Sequence, residues 1–438
     1  MRKIALAFGL LLALPSAAQA AAKAPKPAPV KTTISAPSPL DLRIEQLPAL
    51  LQNKVALDQY FSPTFLAAVP PAQFKQISEG VIAQYGAPQK ILSVSKVRPN
   101  GATVKIAFEK AVATVEIDVE AVPAGKVVGL FLSGFEVSGD SFDAISTEFK
   151  ALPGSSGFLL AELADDGGVR TIAAQNADTQ FAIGSTFKLY ILAELASEIK
   201  AGTRHWSDVV PLTNRSFSSA ATQGWPKDSP VTLHTLAGWM ISVSDNGATD
   251  TLLALLGREA VEEKLASIGH SAPDRMLPFL STVEAFALKA NPGLRERFLK
   301  ASEAQQRDLI EQEKASLTLE NIDSSTIGGA PASIDTIEWF ASPADLLTLL
   351  RNIKLQRDDR MLELMAINHG LSGAAAKRWR YVGYKGGSEP GVMSMSYLLQ
   401  SPGGKWYVAT GSWNDSAKEV DQKKFAGLME RLVSVLAQ

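Results

Sequence analysis

The sequence predicts an α+β protein in two parts, and three features carry that expectation. Between Leu40 and Val137, helical stretches lead into four short alternating runs. Between residues 139 and 438, alternating runs sit at both ends with helical material between them. Ahead of both lies an apolar leader followed by a Pro- and Ala-rich stretch. The 438 residues suffice for two or three domains of roughly 100–200 residues each.

The leader reads as a secretory signal. Arg2 and Lys3 supply the positive region, and Ile4 to Leu14 is an apolar run too short to span a bilayer. Pro15 breaks that run, and Ala18-Gln19-Ala20 is a small-x-small cleavage site, so cleavage is expected after Ala20. Residues 21–39 read as an extended linker, with Pro25, Pro27, Pro29, Pro37 and Pro39 set among Ala, Lys and Ser. No later segment has the length and apolarity of a membrane span. The expected location is therefore secreted or periplasmic.

Residues 40–138 predict a small α+β unit with a curved sheet. Leu57 to Val69 is expected to be one helix, and Pro71 to open a second that ends near Gly86. Strands are expected at Ile91 to Val97, Ala102 to Phe108, Ala111 to Val119 and Val127 to Val137. Asn100-Gly101 marks a hairpin turn between the first two. This unit carries no cluster of His, Asp or Glu that suggests catalysis, so it is read as a docking or accessory module.

Composition excludes several classes of function. With no cysteine there is no disulfide, no thiolate nucleophile, no zinc–thiolate site and no iron–sulfur cluster. His205, His234, His270 and His369 lack metal-ligand spacing and read as structural or surface residues. The formal charge of −2 gives no electrostatic reason to expect nucleic acid.

In the second part, Asp140 to Leu152 predicts a helix. A hairpin follows, Phe158 to Leu163 and Val169 to Ala174, turning at Asp165-Asp166-Gly167-Gly168. Helices are expected within the Phe181 to Ile199 stretch behind Ser185 and Lys188, at Leu233 to Val243 ending in Ser244-Asp245-Asn246-Gly247, then another running to Leu256, and one after Ser342-Pro343-Ala344-Asp345, which supplies N-cap, first-position Pro and first-turn Asp. Residues 270–340 read as helical and irregular. Tyr381 to Gly387, Val392 to Gln400 and Trp406 to Ser412 alternate as strands, with a turn at Ser388 to Gly391, and Lys418 to Leu436 closes as a helix. Strands at both ends imply one antiparallel sheet assembled from distant segments.

Ser185 and Lys188 stand at the head of the Phe181 to Ile199 stretch, spaced Ser-x-x-Lys. On the first turn of a helix that spacing puts hydroxyl and amine on one face. The helix start offers free N–H groups beside the hydroxyl. Burial disfavours an ammonium, so such a lysine can act as base to an activated nucleophile. Downstream come Ser244-Asp245-Asn246 and Lys385-Gly386-Gly387.

That order resembles class A β-lactamases and penicillin-binding proteins, in which Ser-x-x-Lys, Ser-Asp-Asn and Lys-Thr-Gly form one site. The flanks agree, with Ser-Thr-Phe-Lys at 185–188 and Met-Ile-Ser-Val-Ser-Asp-Asn at 240–246. The resemblance covers about residues 141–438. It implies a class A β-lactamase-like domain, an antiparallel five-stranded sheet flanked by helices plus an all-helical part. It also implies roles. Ser185 attacks a carbonyl, Lys188 takes its proton directly or through water, and Ser244 passes a proton towards the leaving group. Asn246 holds Lys188 and a substrate amide oxygen, and Lys385 favours an anionic substrate. Gly387 and Ser388 border the substrate, and the backbone N–H groups of Ser185 and Ser388 form an oxyanion hole. Ser244 and Asn246 could instead be helix caps, Lys385 a strand-edge charge, and Gly386-Gly387 a strand bend. Asp245 reads as a structural hydrogen-bonder.

Two departures from the family pattern stand out. The third motif lacks the Thr hydroxyl at Gly386, and Val392 to Gln400 holds no arginine to meet a substrate carboxylate; Ser388 keeps one hydroxyl in reach. No Glu-x-x-Leu-Asn string lies between Asn246 and Ser342 to supply the glutamate that activates a deacylating water. Ser281-Thr282-Val283-Glu284 reads as a capping box, and Glu320 and Glu338 are weaker candidates. A small domain ahead of such a domain without the loop glutamate also resembles the esterase-like protein of clavulanic acid biosynthesis. Three functions follow as expectations: hydrolysis of a β-lactam or related ester, a penicillin-binding-like protein acting on cell-wall peptide with slow deacylation, or a silent ligand-binding module. None calls for a cofactor or metal.

Overall fold

The computed structural model describes residues 37–121, 125–137, 139–323 and 328–437. The expected signal peptide and most of the linker lie outside the described residues. Among the described residues no helix is long and apolar enough to cross a membrane.

The first part holds five short helices: α1 (Pro39–Glu45), α2 (Leu47–Leu51), α3 (Leu57–Tyr60), α4 (Pro63–Ala68) and α5 (Pro71–Tyr85). Four strands follow as an antiparallel meander, β1 (Pro88–Arg98), β2 (Gly101–Phe108), β3 (Ala111–Val119) and β4 (Val127–Val137). The single helix expected over Leu57 to Val69 is two. Ser62 donates its backbone N–H to Val127 O at 2.9 Å and its hydroxyl caps α4, with Pro63 at the first helical position. A backbone committed to the sheet cannot also continue a helix. The hairpin loop is Pro99-Asn100, because Gly101 already pairs with Arg98 as the first residue of β2. β2 and β3 turn Val104, Ile106, Val115 and Ile117 onto Leu40, Ile44, Leu47, Tyr60 and Phe61, a core of its own.

The second part begins with α6 (Phe142–Lys150), capped by Ser141, then β5 (Ser155–Leu163), β6 (Val169–Gln175) and β7 (Phe181–Ala182). A 3-10 turn, Gly184–Phe187, leads into α7 (Lys188–Lys200). The Phe181 to Ile199 stretch is therefore strand, tight turn and helix in succession, with Ser185 on the 3-10 turn ahead of the helix. After β8 (Val209–Pro211) and β9 (Pro230–Thr232) come α8 (Leu233–Ser242), α9 (Asn246–Leu256), α10 (Arg258–Ile268), α11 (Thr282–Ala290), α12 (Pro292–Lys300) and α13 (Glu303–Gln312). Then follow β10 (Phe340–Ala341), α14 (Pro343–Gln356), α15 (Asp359–Ala366), α16 (Gly373–Ala376), β11 (Tyr381–Glu389), β12 (Val392–Gln400), β13 (Trp406–Asn414) and α17 (Gln422–Leu436).

The large sheet is antiparallel in the order β11-β12-β13-β5-β6, assembled from both ends of this part as expected. Alternation splits its side chains between two cores. Leu159, Ala161, Leu398 and Val408 face α7, α8, α9 and α14, while Phe158, Leu160, Tyr397 and Ala409 face α6 and α17. β11 is an edge strand, and it runs two residues past its expected end, through Ser388 and Glu389. That extension carries Ser388 alongside the 3-10 turn of Ser185. The two sheets share no strand. Glu136 of β4 pairs with Arg378 of the second part at 3.8 Å.

Candidate active site

Two glycines let the backbone of the 3-10 turn lie against β11. A Cβ on Gly387 would stand 2.1 Å from Ile183 O and 2.5 Å from Ser185 N. A Cβ on Gly184, whose φ is +46°, would stand 3.0 Å from Ser388 N. Gly387 is thus a close-approach glycine rather than only a bend. It brings the backbone N–H groups of Ser185 and Ser388 to one place, where the oxyanion hole was expected.

Lys188 heads α7 and is fully buried. Its Nζ donates to Ser244 O at 2.6 Å, Ser244 Oγ at 3.1 Å and Asn246 Oδ1 at 2.5 Å. Lys385, equally buried, donates to the same Ser244 Oγ at 3.0 Å and to Gly386 O. One hydroxyl thus accepts from two buried amines. Burial, and next the charge of Lys385, hold the Lys188 amine well below its ordinary range, while Asp250 and Asp245 pull the other way. Burial alone pushes Lys385 down to about 7. Both amines lean towards the neutral form that can accept a proton.

Ser244 reaches both lysines from a left-handed backbone, φ +60°, a conformation that costs a non-glycine residue about 1–3 kcal/mol. It is not the cap of α9. The cap is Asp245, whose carboxylate accepts from Ala221 N, Thr222 N, Thr222 Oγ1 and Ala248 N between 2.7 and 2.9 Å. Asp245 thereby ties the loop after β8 to α9, as its structural reading expected. Asn246 follows at the first helical position. Its amide is oriented by donating to Phe217 O at 2.7 Å while its oxygen receives Lys188.

These residues open on a cleft of about 480 Å³ lined by Ser185, Ser244, Asn246, Lys385 and Ser388 and walled by Phe217, Phe286 and Met393. All seven residues singled out in the sequence come together at this place, Gly387 among them and Lys188 through its bonds to Ser244 and Asn246. The missing Thr hydroxyl has a steric reason. A Cβ on Gly386 would stand 2.1 Å from the Tyr384 hydroxyl, which itself lines the cleft. The same ring fills the space above Gly370, where a Cβ would meet it at 2.6 Å, and leans on Tyr397 with centroids 4.9 Å apart. Burial pushes the Tyr384 phenol up to about 12, so it stays a neutral donor. The sequence signal was the i, i+2 spacing of Tyr384 and Gly386 on one strand face.

Glu284 is a cap. Its Oε2 accepts from Ser281 N at 2.7 Å, Ser281 Oγ accepts from Glu284 N at 3.3 Å, and Oε1 receives Arg258 at 2.8 Å. Glu320 is exposed on a 3-10 turn. Glu338 is buried, and with Glu389, which the sequence reading missed, it lines a small recess beside Ser185. The histidines stay structural: His270 Nε2 lies 3.0 Å from Phe340 O, and His205 is exposed beside Asp208. Among the described residues no group of His, Asp or Glu could hold a metal ion.

The sequence model described as "Beta-lactamase enzyme family" matches residues 141–425. The chain belongs to the beta-lactamase enzyme family. The match spans the motifs that carry the resemblance to class A enzymes and penicillin-binding proteins, and it leaves the first part of the chain outside. No curated protein sequence matches the chain. Among solved structures, a beta-lactamase from Sphaerobacter thermophilus is similar at 19% identity and TM-score 0.46, over 68% of this chain and 95% of that one. PBP-A is similar at 16% identity and TM-score 0.46, over 68% and 94%. A beta-lactamase from Chitinophaga pinensis shows 18% identity and TM-score 0.45, over 68% and 98%.

Two substitutions test this geometry. Gly387→Ala forces the nucleophile turn away from β11, and a displacement near 1 Å can cost about 10²-fold in rate. Covalent labelling by a fluorescent penicillin should slow by that order, with the circular dichroism spectrum retained; labelling at the wild-type rate would show that the close approach is dispensable. Ser281→Ala should cost about 1 kcal/mol in urea unfolding, the worth of an N-cap. An unchanged midpoint would remove the capping role and return Glu284 to consideration.

Proposed function

We propose that this family member is a secreted serine hydrolase that forms an acyl-enzyme on Ser185, with a β-lactam or related activated ester as substrate. The observation that carries the proposal is the Ser244 hydroxyl held by two buried lysines, Lys188 one helical turn after Ser185 and Lys385 on β11. Lys188, as the neutral amine, takes the Ser185 proton while Oγ attacks the carbonyl carbon. The oxyanion forms against the Ser185 and Ser388 N–H groups, each such donor being worth about 10²–10³ in rate. Ser244 relays the proton from Lys188 to the leaving nitrogen or oxygen, and Lys385 replenishes or steadies that hydroxyl. The second Asn246 N–H hydrogen is available to a substrate amide oxygen.

The fit of Glu284 into a capping box supports a second reading, a penicillin-binding-like protein that acylates and releases slowly, acting on cell-wall peptide. The two readings differ in whether cleavage of a chromogenic cephalosporin stops after one equivalent. The intact Ser185, Lys188, Ser244, Asn246 and Lys385 set argues against a silent binding module. The leader ending at Ala20 supports export, and residues 40–138 are assigned as an accessory module, since the motifs all fall outside them.

Ser185→Ala should abolish the covalent adduct seen by mass spectrometry and lower kcat on the order of 10⁶, as loss of the nucleophile does in a site acting as a unit. Retained turnover would sink the mechanism. Capture of an anionic substrate depends on protonated Lys385, whose amine sits at about 7. The proton is lost as pH rises, so kcat/KM for benzylpenicillin should fall above about pH 7, while a neutral thioester shows no fall from this cause. Parallel profiles for the two substrates would exclude Lys385 as the anion contact.

A further inference from the structure

The small domain touches the same stretch of chain that walls the cleft. Along β4, Phe135 turns into the small domain's own core and stacks on Tyr85 with centroids 4.0 Å apart, so Gly134 turns outward. A Cβ on Gly134 would stand 2.9 Å from Ser372 Oγ and 3.1 Å from Ala374 Cβ. The φ of Gly134 lies outside the left-handed region, so the neighbour across the gap is what excludes a side chain.

Ser372 is not free to step aside. Its Oγ donates to Glu430 Oε1 at 2.7 Å and accepts from Ala375 N at 3.3 Å, and its backbone N–H donates to Glu430 Oε2 at 2.9 Å. Glu430 belongs to α17, so the turn before α16 is gripped between β4 and α17. Beside this grip Arg378 pairs with Glu136 of β4 and donates to Ser434 O at 3.3 Å.

Four residues earlier, the same stretch reaches the cleft. Asn368 lines it, and its Nδ2 donates at 3.1 Å to the carbonyl of Ser242, another lining residue. Gly370 N donates to Asn368 Oδ1 at 3.2 Å, and Gly370 O accepts from Tyr397 Oη at 2.9 Å. Gly370, at φ +59°, lies so close to the Tyr384 ring that a Cβ there would stand 2.6 Å from it. Tyr384 is itself part of the cleft wall. Segment 368–376 is therefore held at one end by the cleft and at the other by the small domain.

Domains of one chain move against each other unless the interface between them is tight. A contact that excludes even a methyl group leaves no slack, and close-packed interiors transmit strain. Coupling between distant groups is carried by chains of packed side chains and hydrogen bonds. From Gly134 to Tyr384 every link is such a contact or the chain itself. Ser185, Lys188, Ser244 and Asn246 stand on other elements, so the small domain bears on the wall that faces them.

We propose that the small domain is a positioning element of the active site: Gly134 of β4 seats segment 368–376, and that segment sets the Asn368 and Tyr384 wall of the cleft. This gives residues 40–138 a part in the reaction, and its activity readout rests on the acyl-enzyme reading of Ser185. Gly134, Ser372 and Glu430 are positioning residues, since none of them lines the cleft.

The test uses the full chain and two readouts, the rate of covalent labelling by a fluorescent penicillin and amide hydrogen exchange followed by mass spectrometry. Gly134→Val keeps a strand-forming residue on β4 but drives Ser372 away. Labelling should slow about 10–10²-fold, since a displacement near 1 Å can cost about 10²-fold. Exchange should quicken across 368–376, while β5 and β13 exchange as in the wild type. Gly134→Ala should slow labelling less, and most of that cost should vanish in the Ser372→Ala background, where the hydroxyl that the added methyl meets is gone. A general loss of stability would persist there. If Gly134→Val does not fold, the Gly134→Ala cycle carries the test. Wild-type labelling by folded Gly134→Val overturns the proposal, and so does a Gly134→Ala cost that is the same with and without the Ser372 hydroxyl. A wild type that forms no adduct overturns the acyl-enzyme reading instead. Exchange then decides the positioning role: quicker exchange at 368–376 in Gly134→Val upholds it, and unchanged exchange overturns it.

Discussion

The Ser244 hydroxyl, accepting at the cleft wall from the buried amines of Lys188 and Lys385, is the contact on which the site depends. Burial raises the cost of a proton on either amine, and the charge of Lys385 raises it further on Lys188. The outcome is two amines joined by one hydroxyl, Lys188 held well below its ordinary range and Lys385 at about 7. The strain at Ser244 and the four hydrogen bonds that pin Asp245 are the local means. A left-handed residue is tolerated only where its neighbours are overdetermined, and Asp245 supplies that by locking the start of α9 to the loop after β8.

The second constraint is steric. β11 and the nucleophile turn approach until no Cβ fits at Gly387. A position on a strand that contacts backbone across the gap can only be glycine. At Gly386 the reason differs, since a side chain from the same strand, Tyr384, occupies the space. The Lys-Gly-Gly form of the third motif is therefore two unrelated requirements side by side. The cleft that results has a neutral phenol near Gly386, where a threonine hydroxyl was expected. It has no arginine from β12, and at its end Glu389 is paired with Lys289.

Much of the fold was legible because its signals are local. Ser281 and Ser342 cap the helices they were expected to cap, since an N-cap hydrogen bond spans only three residues. β3, β4 and β12 begin and end where alternation put them. The misses have distant causes. Ser62 leaves the helix because Val127 takes its N–H, and the short helices before Leu57 form where the small sheet covers their apolar side chains. β11 outruns its expected turn because Glu389 pairs with Val392 and meets Lys289.

By itself the sequence determined the order of elements, the chemistry of the three motifs and the family, because residue type and spacing decide which groups can stand on one helical turn or one strand face. Tertiary structure alone decided which glutamates are near Ser185. Glu284, in the right stretch of chain, is spent on a cap and on Arg258. Glu338 and Glu389 arrive from separate segments and meet at Lys289. Burial likewise belongs to the folded state: it shifts the two lysines and the phenol of Tyr384, and no reading of neighbours along the chain contains the water that folding removes.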